Sequence, residues 1–403
     1  MIKKTGIMDL IAKIRELSRI YFEDIVEIRR HLHAHPELSM QEHETSEFIA
    51  QQLDAMGIAY ERGIAGTGIV ALIPGNKGRG KVVALRADMD ALPIDEANDV
   101  SYKSLNPGVM HACGHDVHMS CLLGATRILN ELRDYWGGTV KLIFQPSEET
   151  APGGAKLMID EGVLQNPAPE SIFGQHVFVP LPVGKVGVRS GKYMASADEV
   201  YLTVKGKGGH AATPHLNVDP IVIASHIVVA LQTIVSRSAK ASIPSVLSFG
   251  KIAGLGRTNI IPNEVKIEGT FRTFNEKWRA EALQQITDMA IGIAKGMGGD
   301  CDVYIEKGYP FLVNDDKLAD AFRQYASDYL GNENVEELDL AMTAEDFAFF
   351  SQKLPACFYR LGVSSPDKGT GSNLHTPTFD VDENALEIGM GLMAYIACKE
   401  LGC

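Results

Sequence analysis

Between Met110 and His118 the chain reads Met-His-Ala-Cys-Gly-His-Asp-Val-His, which gathers Cys113, His115 and Asp116, flanked by His111 and His118, into nine residues. Thiolate, imidazole and carboxylate are the side chains that hold divalent transition metals. Gly114 lets the backbone bend so that Cys113 and His115 can face one point. Two good ligands do not make a site, so others must come from elsewhere. The candidates are Asp88 and Asp90 in Arg86-Ala-Asp-Met-Asp-Ala-Leu-Pro93, then Glu148, Glu149, His176 and His375. Each has a plain reading when taken alone. Asp88 and Asp90 alternate along an extended chain, point to opposite sides, and can cap the turn before Pro93. A pair such as Glu148 and Glu149 suits a helix N-terminus through the dipole. A histidine at a strand end, as at His176, is commonly structural, and His375 lies in the unpatterned loop Gly371-Ser-Asn-Leu-His-Thr-Pro377. Together, however, Cys113, His115, Glu149, His176 and His375 form a five-ligand set that could hold two metals. Adjacent Glu residues on an extended chain face opposite ways, so one can bind metal while the other works on substrate.

Periodicity predicts the elements that carry these residues. A helix over 9–30 has Ile11, Ile14, Leu17, Ile20, Tyr21, Ile25 and Ile28 at helical spacing and is ended by Pro36. His31, His33 and His35 follow it and read as surface histidines more readily than as ligands. A second helix over 41–56 is closed by Gly57. Strands over 68–74, 81–86, 138–145 and 171–176 alternate with helices over 119–132 and 153–161. This order predicts an α/β sandwich around a mainly buried sheet. Three strand ends then deliver Asp88/Asp90, Glu148/Glu149 and His176, where such sheets place their chemistry. From Gly191 the character changes. Strand 199–205, helix 220–236, strands 245–252 and 264–274, helix 277–297 and strand 302–306 give βαββαβ, the order of a ferredoxin-like unit. The expected organisation is a catalytic domain in two segments, 1–190 and 308–403, with the smaller domain inserted at 191–307. The second segment carries a helix over 315–330, a strand over 356–361 and a final helix over 385–401.

Bulk properties exclude several function classes. At 403 residues the chain is long enough for two domains, given ~100–200 residues per domain. A net charge of -13 disfavours nucleic acid and anionic membrane surfaces as partners. No apolar run approaches the ~20 residues of a membrane span. Residues 1–16 are amphipathic and charged, without the apolar core of a signal peptide. Cys113, Cys121, Cys301, Cys357, Cys398 and Cys403 lack disulfide-framework spacing and read as reduced thiols of a cytoplasmic protein.

The motifs in order resemble the M20 metallopeptidase clan, and within it the amidohydrolase branch, which holds hippurate hydrolases, indole-acetyl-amino-acid hydrolases and N-acetyl-diaminopimelate deacetylases. The resemblance runs from His33-x-His-Pro-Glu-Leu38 through Arg86-Ala-Asp-Met-Asp-Ala-Leu-Pro93, His111-Ala-Cys-Gly-His-Asp116, Phe144-Gln-Pro-x-Glu-Glu149 and Gly209-His-Ala-Ala-x-Pro214 to Ala344-Glu-Asp-Phe347. It implies a binuclear centre held by Cys113, His115, Glu149, His176 and His375, with Cys113 shared, and Glu148 as general acid/base. The chain departs from the clan's peptidase branches, which carry a metal-binding His where Asp88 stands and a carboxylate bridge where the Cys-containing stretch stands. Asp90 is therefore expected to orient a ligand from behind.

The resemblance further implies that the inserted domain is a lid and dimerisation domain. Its His210 would reach a partner's active site and stabilise the oxyanion, or else merely terminate its Gly-rich turn. Asn259 and Arg272 would bind the substrate's oxyanion or carboxylate, although Arg272 also fits a solvated strand edge. His226 reads as packed, or as a dimer contact. Thiolate favours zinc, while carboxylate and imidazole also suit manganese, cobalt or nickel. The expected protein is a cytoplasmic, homodimeric amidohydrolase with two divalent ions per subunit, cleaving N-acyl amino acids. Its rivals are a di- or carboxypeptidase of the same clan and a hydrolase with Cys113 as nucleophile.

Overall fold

In the computed structural model the backbone is described for residues 2–365, 367 and 369–403, and the side chains from residue 9 onward. The chain divides into two compact units, one of residues 1–191, 313–339 and 349–403, the other of residues 192–312 and 340–348.

The first unit is built on an eight-stranded mixed sheet. Its order is Tyr60–Ile64, Gly68–Pro74, Thr139–Gln145, Val82–Asp88, Ser171–Pro182, Ala356–Ser364, Val186–Val188 and Val335–Glu337. The four strands from Thr139–Gln145 to Ala356–Ser364 are mutually parallel. Their sequences are near-continuous apolar runs because both faces are covered, and Ala356–Ser364 is buried at every position. Register fixes the chemistry: Asp88 lies opposite Gln145, and His176 opposite Arg360. Asp88, Gln145 and His176 are therefore level across the sheet, but His176 lies within its strand rather than at the strand end expected from the sequence, because pairing with Ala356–Ser364 carries the strand on to Pro182. The helices Ile2–Ala34, His115–Glu131 and Asn384–Glu400 pack together in one core with the sheet.

Sequence and structure differ in instructive places. The first helix runs on to Ala34, so His31 and His33 lie in its last turn. It stops two residues short of Pro36, since the residue before a proline avoids helical backbone. His33 is not a surface residue but fully buried, whereas His31 is exposed. The helix expected from Met119 starts at His115, because Gly114 adopts φ +80 and turns the chain directly into it. Tyr60–Ile64, Val186–Val188 and Val335–Glu337 had no sequence signal. The first is an exposed edge and the other two are three residues long, too short for a period to register.

The second unit is a four-stranded antiparallel sheet in the order Ser245–Ala253, Glu264–Thr273, Asp198–Lys205, Asp300–Lys307. With the helices Pro220–Thr233 and Glu276–Gly296 it forms βαββαβ around Val200, Leu202, Val204, Ile227, Phe271 and Ile286. Residues 308–312 and 340–348 group with this unit. One expectation is overturned here. Residues 220–238 form a 19-residue helical stretch apolar enough, by length and composition, to cross a membrane. In the chain it lies between Asp198–Lys205 and Ser245–Ala253, both of which pair with Glu264–Thr273, and one of its faces packs into the core of that small sheet. Ile223, Ala224, Ile227, Leu231 and Ile234 are buried, while Ile221, Val222 and Val229 are exposed.

Candidate metal centre

Gly114 separates the first two ligand candidates. A Cβ there would lie 2.5 Å from Val177 Cγ2, and Val177 follows His176. Gly114→Ala is thus expected to strain the left-handed turn by roughly 1–2 kcal/mol and to push the chain bearing His176 away. Metal analysis of the purified variant should show reduced loading, and full loading would contradict the role given to this turn.

The structure brings the five predicted ligands together. The donor atoms of Cys113, His115 and His176 lie within 4.8 Å of one another, as do those of Cys113, Glu149 and His375, so Cys113 belongs to both groups. Its Sγ is 3.5 Å from His176 Nε2 and 3.3 Å from His375 Nε2. His375 Nε2 is also 3.3 Å from Glu149 Oε1, and its backbone N–H donates to Ala112 O at 2.8 Å, which ties the distant loop to the opening stretch. His176 Nδ1 is 2.7 Å from Val177 O, so Nδ1–H donates there and the Nε2 lone pair faces the thiol. Glu148 is buried, and its carboxylate groups with His115 and Glu149 within the same 4.8 Å.

The surrounding carboxylates aim the ligands. Asp90 Oδ1 is 3.3 Å from His115 Nδ1 and accepts the Glu148 N–H at 2.9 Å, while Oδ2 accepts the Glu149 N–H at 3.0 Å and the Ser39 hydroxyl at 2.6 Å. One carboxylate thereby fixes the ring of His115 and the backbone of the Glu pair, which is how hydrogen-bonded partners orient metal ligands. Asp88 accepts from Arg86 at 2.6 Å and from His118 Nδ1 at 2.6 Å, and lies 3.7 Å from His115 Nε2. His118 Nε2 in turn accepts the Val177 N–H at 2.9 Å. Two expectations need correction. Asp88 and Asp90 do not diverge, because the strand ends at Asp88 and the chain then turns so that both approach the ring of His115. Nor do Glu148 and Glu149 face opposite ways. Ser147 has φ +51, the pair lies in a loop, and both carboxylates reach His115.

The donor set fits a divalent cation. His115 Nε2 is buried without a hydrogen-bond partner, an unsatisfied group of a kind that costs roughly 1–3 kcal/mol. Burial alone would lower the pKa of His115, but the charges of Asp88, Asp90 and Glu149 raise it to about 10. Burial, then Glu149 and Glu148, push the Cys113 thiol well above its ordinary range. Both shifts express buried negative charge awaiting a positive partner, and metal binding at such a site releases the protons.

The sequence missed a second layer. Asp116 accepts from Arg29 Nε and meets His33 Nδ1, both at 2.8 Å, and His33 Nε2 meets Glu96 at 3.2 Å. Glu42 accepts the Ser147 N–H at 2.8 Å, holding the loop before Glu148. The signal available was only a charged residue inside an amphipathic pattern. His33 gives a pH prediction. Burial and Arg29 lower its pKa, but Asp116 and Glu96 outweigh them and the net shift is upward from 6.5. Its stabilising contribution is complete below about pH 6.5 and is lost as pH rises through the folded-state value. The thermal midpoint of His33→Gln should therefore fall less steeply above pH 6.5 than that of the parent protein; parallel curves would exclude the effect. His111 is buried with neither ring nitrogen partnered, and burial drops its pKa to about 3, which makes it a neutral core side chain.

In the second unit, His210 is exposed on the short strand Gly209–His210, paired with Ile260–Ile261. Its Nδ1 accepts the Ala212 N–H at 3.0 Å, and Asn259 O accepts the Ala211 N–H at 3.1 Å. His210 and Asn259 are thus neighbours on one small ribbon. Arg272 is half-buried in the larger sheet and donates from Nε to Thr270 at 3.1 Å. His226 is exposed rather than packed.

A buried thiol, imidazole and carboxylate set with a spare carboxylate beside it, at the C-terminal ends of a parallel sheet, defines the class of metal-dependent hydrolases. The chain belongs to peptidase family M20/M25/M40, whose pattern matches residues 84–399, and is a hydrolase of amide bonds. It is 40% identical over 385 residues to the IAA-amino acid hydrolase ILR1-like 4 of Arabidopsis thaliana, covering 94% of this chain and 86% of the relative. It is 38% identical to thermostable carboxypeptidase 2 of Saccharolobus solfataricus, covering 97% of this chain and 99% of the relative. Among solved structures, the Bacillus subtilis YXEP protein, a dinuclear metal-binding peptidase of the M20 family, superposes with a TM-score of 0.80 at 33% identity, covering 95% of this chain and 99% of the other.

Proposed function

We propose that the protein removes the acyl group from N-acyl amino acids, using two divalent ions held by Cys113, His115, Glu149, His176 and His375. The observation that carries this reading is Cys113 lying in both donor groups, with the unpartnered His115 Nε2 and the buried Glu148 beside them. A metal pair supplies Lewis acidity, polarising the amide carbonyl and acidifying a water toward a pKa of about 7. The chain's own groups do the rest. Glu148 takes the proton of the attacking water and passes it to the leaving amine nitrogen. Asp90 holds His115 and the Glu148–Glu149 backbone still during that exchange. His210 of the partner subunit donates to the oxyanion, with Asn259 beside it, and Arg272 pairs with the substrate carboxylate.

Several features support the finer points. The exposed Ile221, Val222 and Val229 give the helix Pro220–Thr233 an unpartnered apolar face suited to a homodimer through this unit. Cysteine thiolate draws zinc, and the imidazole and carboxylate donors also suit manganese, cobalt or nickel. Six free thiols suit a cytoplasmic protein.

The relative named a carboxypeptidase makes dipeptides the necessary comparison. Activity is expected on N-acetyl- or N-benzoyl-amino acids, to exceed that on dipeptides, to vanish on exhaustive chelation and to return with a divalent metal. Preference for dipeptides would move the protein to the peptidase reading. Activity that survives chelation but is lost to thiol alkylation would make Cys113 the nucleophile instead.

A further inference from the structure

The helix Asn384–Glu400 closes with two backbone bonds, from the Gly402 N–H to Lys399 O at 3.1 Å and from the Cys403 N–H to Cys398 O at 3.0 Å. Gly402 has φ +86, as the left-handed residue of this helix ending requires. The pattern is the Schellman motif, which sets the second residue beyond the helix against a residue of the last turn. That contact is normally between two apolar side chains. Here both residues are cysteines, so the backbone pattern sets two thiol-bearing residues against each other where an apolar pair would stand. Cys398 is buried and Cys403 is partly exposed.

We propose that Cys398 and Cys403 form a reversible dithiol–disulfide site that reacts with low-molecular-weight disulfides. The Cys403 thiolate attacks one sulfur of the small disulfide, forming a mixed disulfide and releasing one small thiolate. Cys398 then attacks the Cys403 sulfur, forming the Cys398–Cys403 bond and expelling the second small thiol, which carries away the proton of Cys398. Two protein thiols are oxidised and one small disulfide is reduced to two thiols, so the exchange balances.

The environment suits this order of events. The Cys398 thiol, with Lys77 and Lys399 nearby, holds the Cys403 thiol below its ordinary range, the condition that makes an exposed cysteine the attacking one. Burial instead pushes the thiols of Cys301, Cys121 and Cys357 upward, the first to about 11 and the second to about 12. Cys113 belongs to the metal centre, so neither member of the pair is in the catalytic machinery.

The test uses metal-loaded enzyme equilibrated across a series of reduced-to-oxidised glutathione ratios, quenched with an alkylating agent and cleaved after Lys399. Cys398 and Cys403 should lose alkylation together, and the peptides on either side of Lys399 should stay joined until reduced. Cys403→Ser should abolish that link. Cys398→Ser should instead accumulate the glutathione adduct on Cys403, because no second thiol resolves it. Both variants should retain metal content and amide hydrolysis. The proposal is overturned if both cysteines alkylate fully at every ratio, or if the parent protein accumulates the adduct as Cys398→Ser does.

Discussion

Glu148→Gln is expected to keep its metal and lose about 10²–10⁴-fold in kcat, the range typical for positioned acid/base catalysis. The substitution preserves shape and leaves Cys113, His115, Glu149, His176 and His375 in place. It removes only the carboxylate's capacity to accept a proton and return it. Glu148 is buried against the donor group, and Asp90 anchors its backbone N–H at 2.9 Å, so the amide should occupy the same position. The effect should fall on kcat with little change in KM, because the proton moves only in the transition state. Metal analysis beside steady-state kinetics separates this outcome from simple loss of the ions. Near-full kcat with metal bound would sink Glu148 as the acid/base.

The largest effect on stability should come from a residue outside the metal centre. Arg29 is completely buried, 2.8 Å from Asp116, 3.1 Å from Asp380 and 3.5 Å from Glu383, with its guanidinium 4.8 Å from the ring centre of Tyr102. Removing one partner of a buried ion pair costs roughly 3–5 kcal/mol, because the charge left behind is uncompensated. Arg29→Met should therefore lower unfolding stability by about that amount, read from denaturant titration of the metal-loaded protein. The double variant Arg29→Met/Asp116→Asn should recover part of the loss, since it removes the orphaned carboxylate. A cost below about 1 kcal/mol would show that water reaches the network and screens it.

What could be read in advance divides along physical lines. The strands Val82–Asp88, Thr139–Gln145 and Ser171–Pro182 announced themselves because buried parallel strands are apolar without interruption, and the proposed ligands Cys113 and His115 because they flank Gly114, whereas His176 lies inside its strand and His375 in a loop without pattern. The roles of Arg29, His33 and Glu42 were hidden. A buried charge within an amphipathic helix looks like a solvated one until its partner, far along the chain, is known. Asp90 was anticipated as an orienting group, but its hold on the backbone of Glu148 and Glu149 depends on the turn at Ser147, which no spacing reveals. The second unit was plain from its alternation and glycine turns, yet its apolar helix passed as ordinary because an apolar face covered by a sheet and one left exposed have the same composition.

The position of Ala356–Ser364 between Ser171–Pro182 and Val186–Val188 has a consequence for biosynthesis. As the chain leaves the ribosome from its N-terminus, Ser171–Pro182 is made with its outer edge unpaired. It must wait until residue 364 has emerged, on the order of ten seconds or more at ~5–20 residues per second. An apolar strand with an open edge is a template for pairing with another chain, so the nascent protein passes through an aggregation-exposed interval. His375 is made later still, so the five proposed ligands coexist only once residue 375 has been synthesised. On the proposed ligand set, truncations before residue 375 should accumulate as insoluble, metal-poor species.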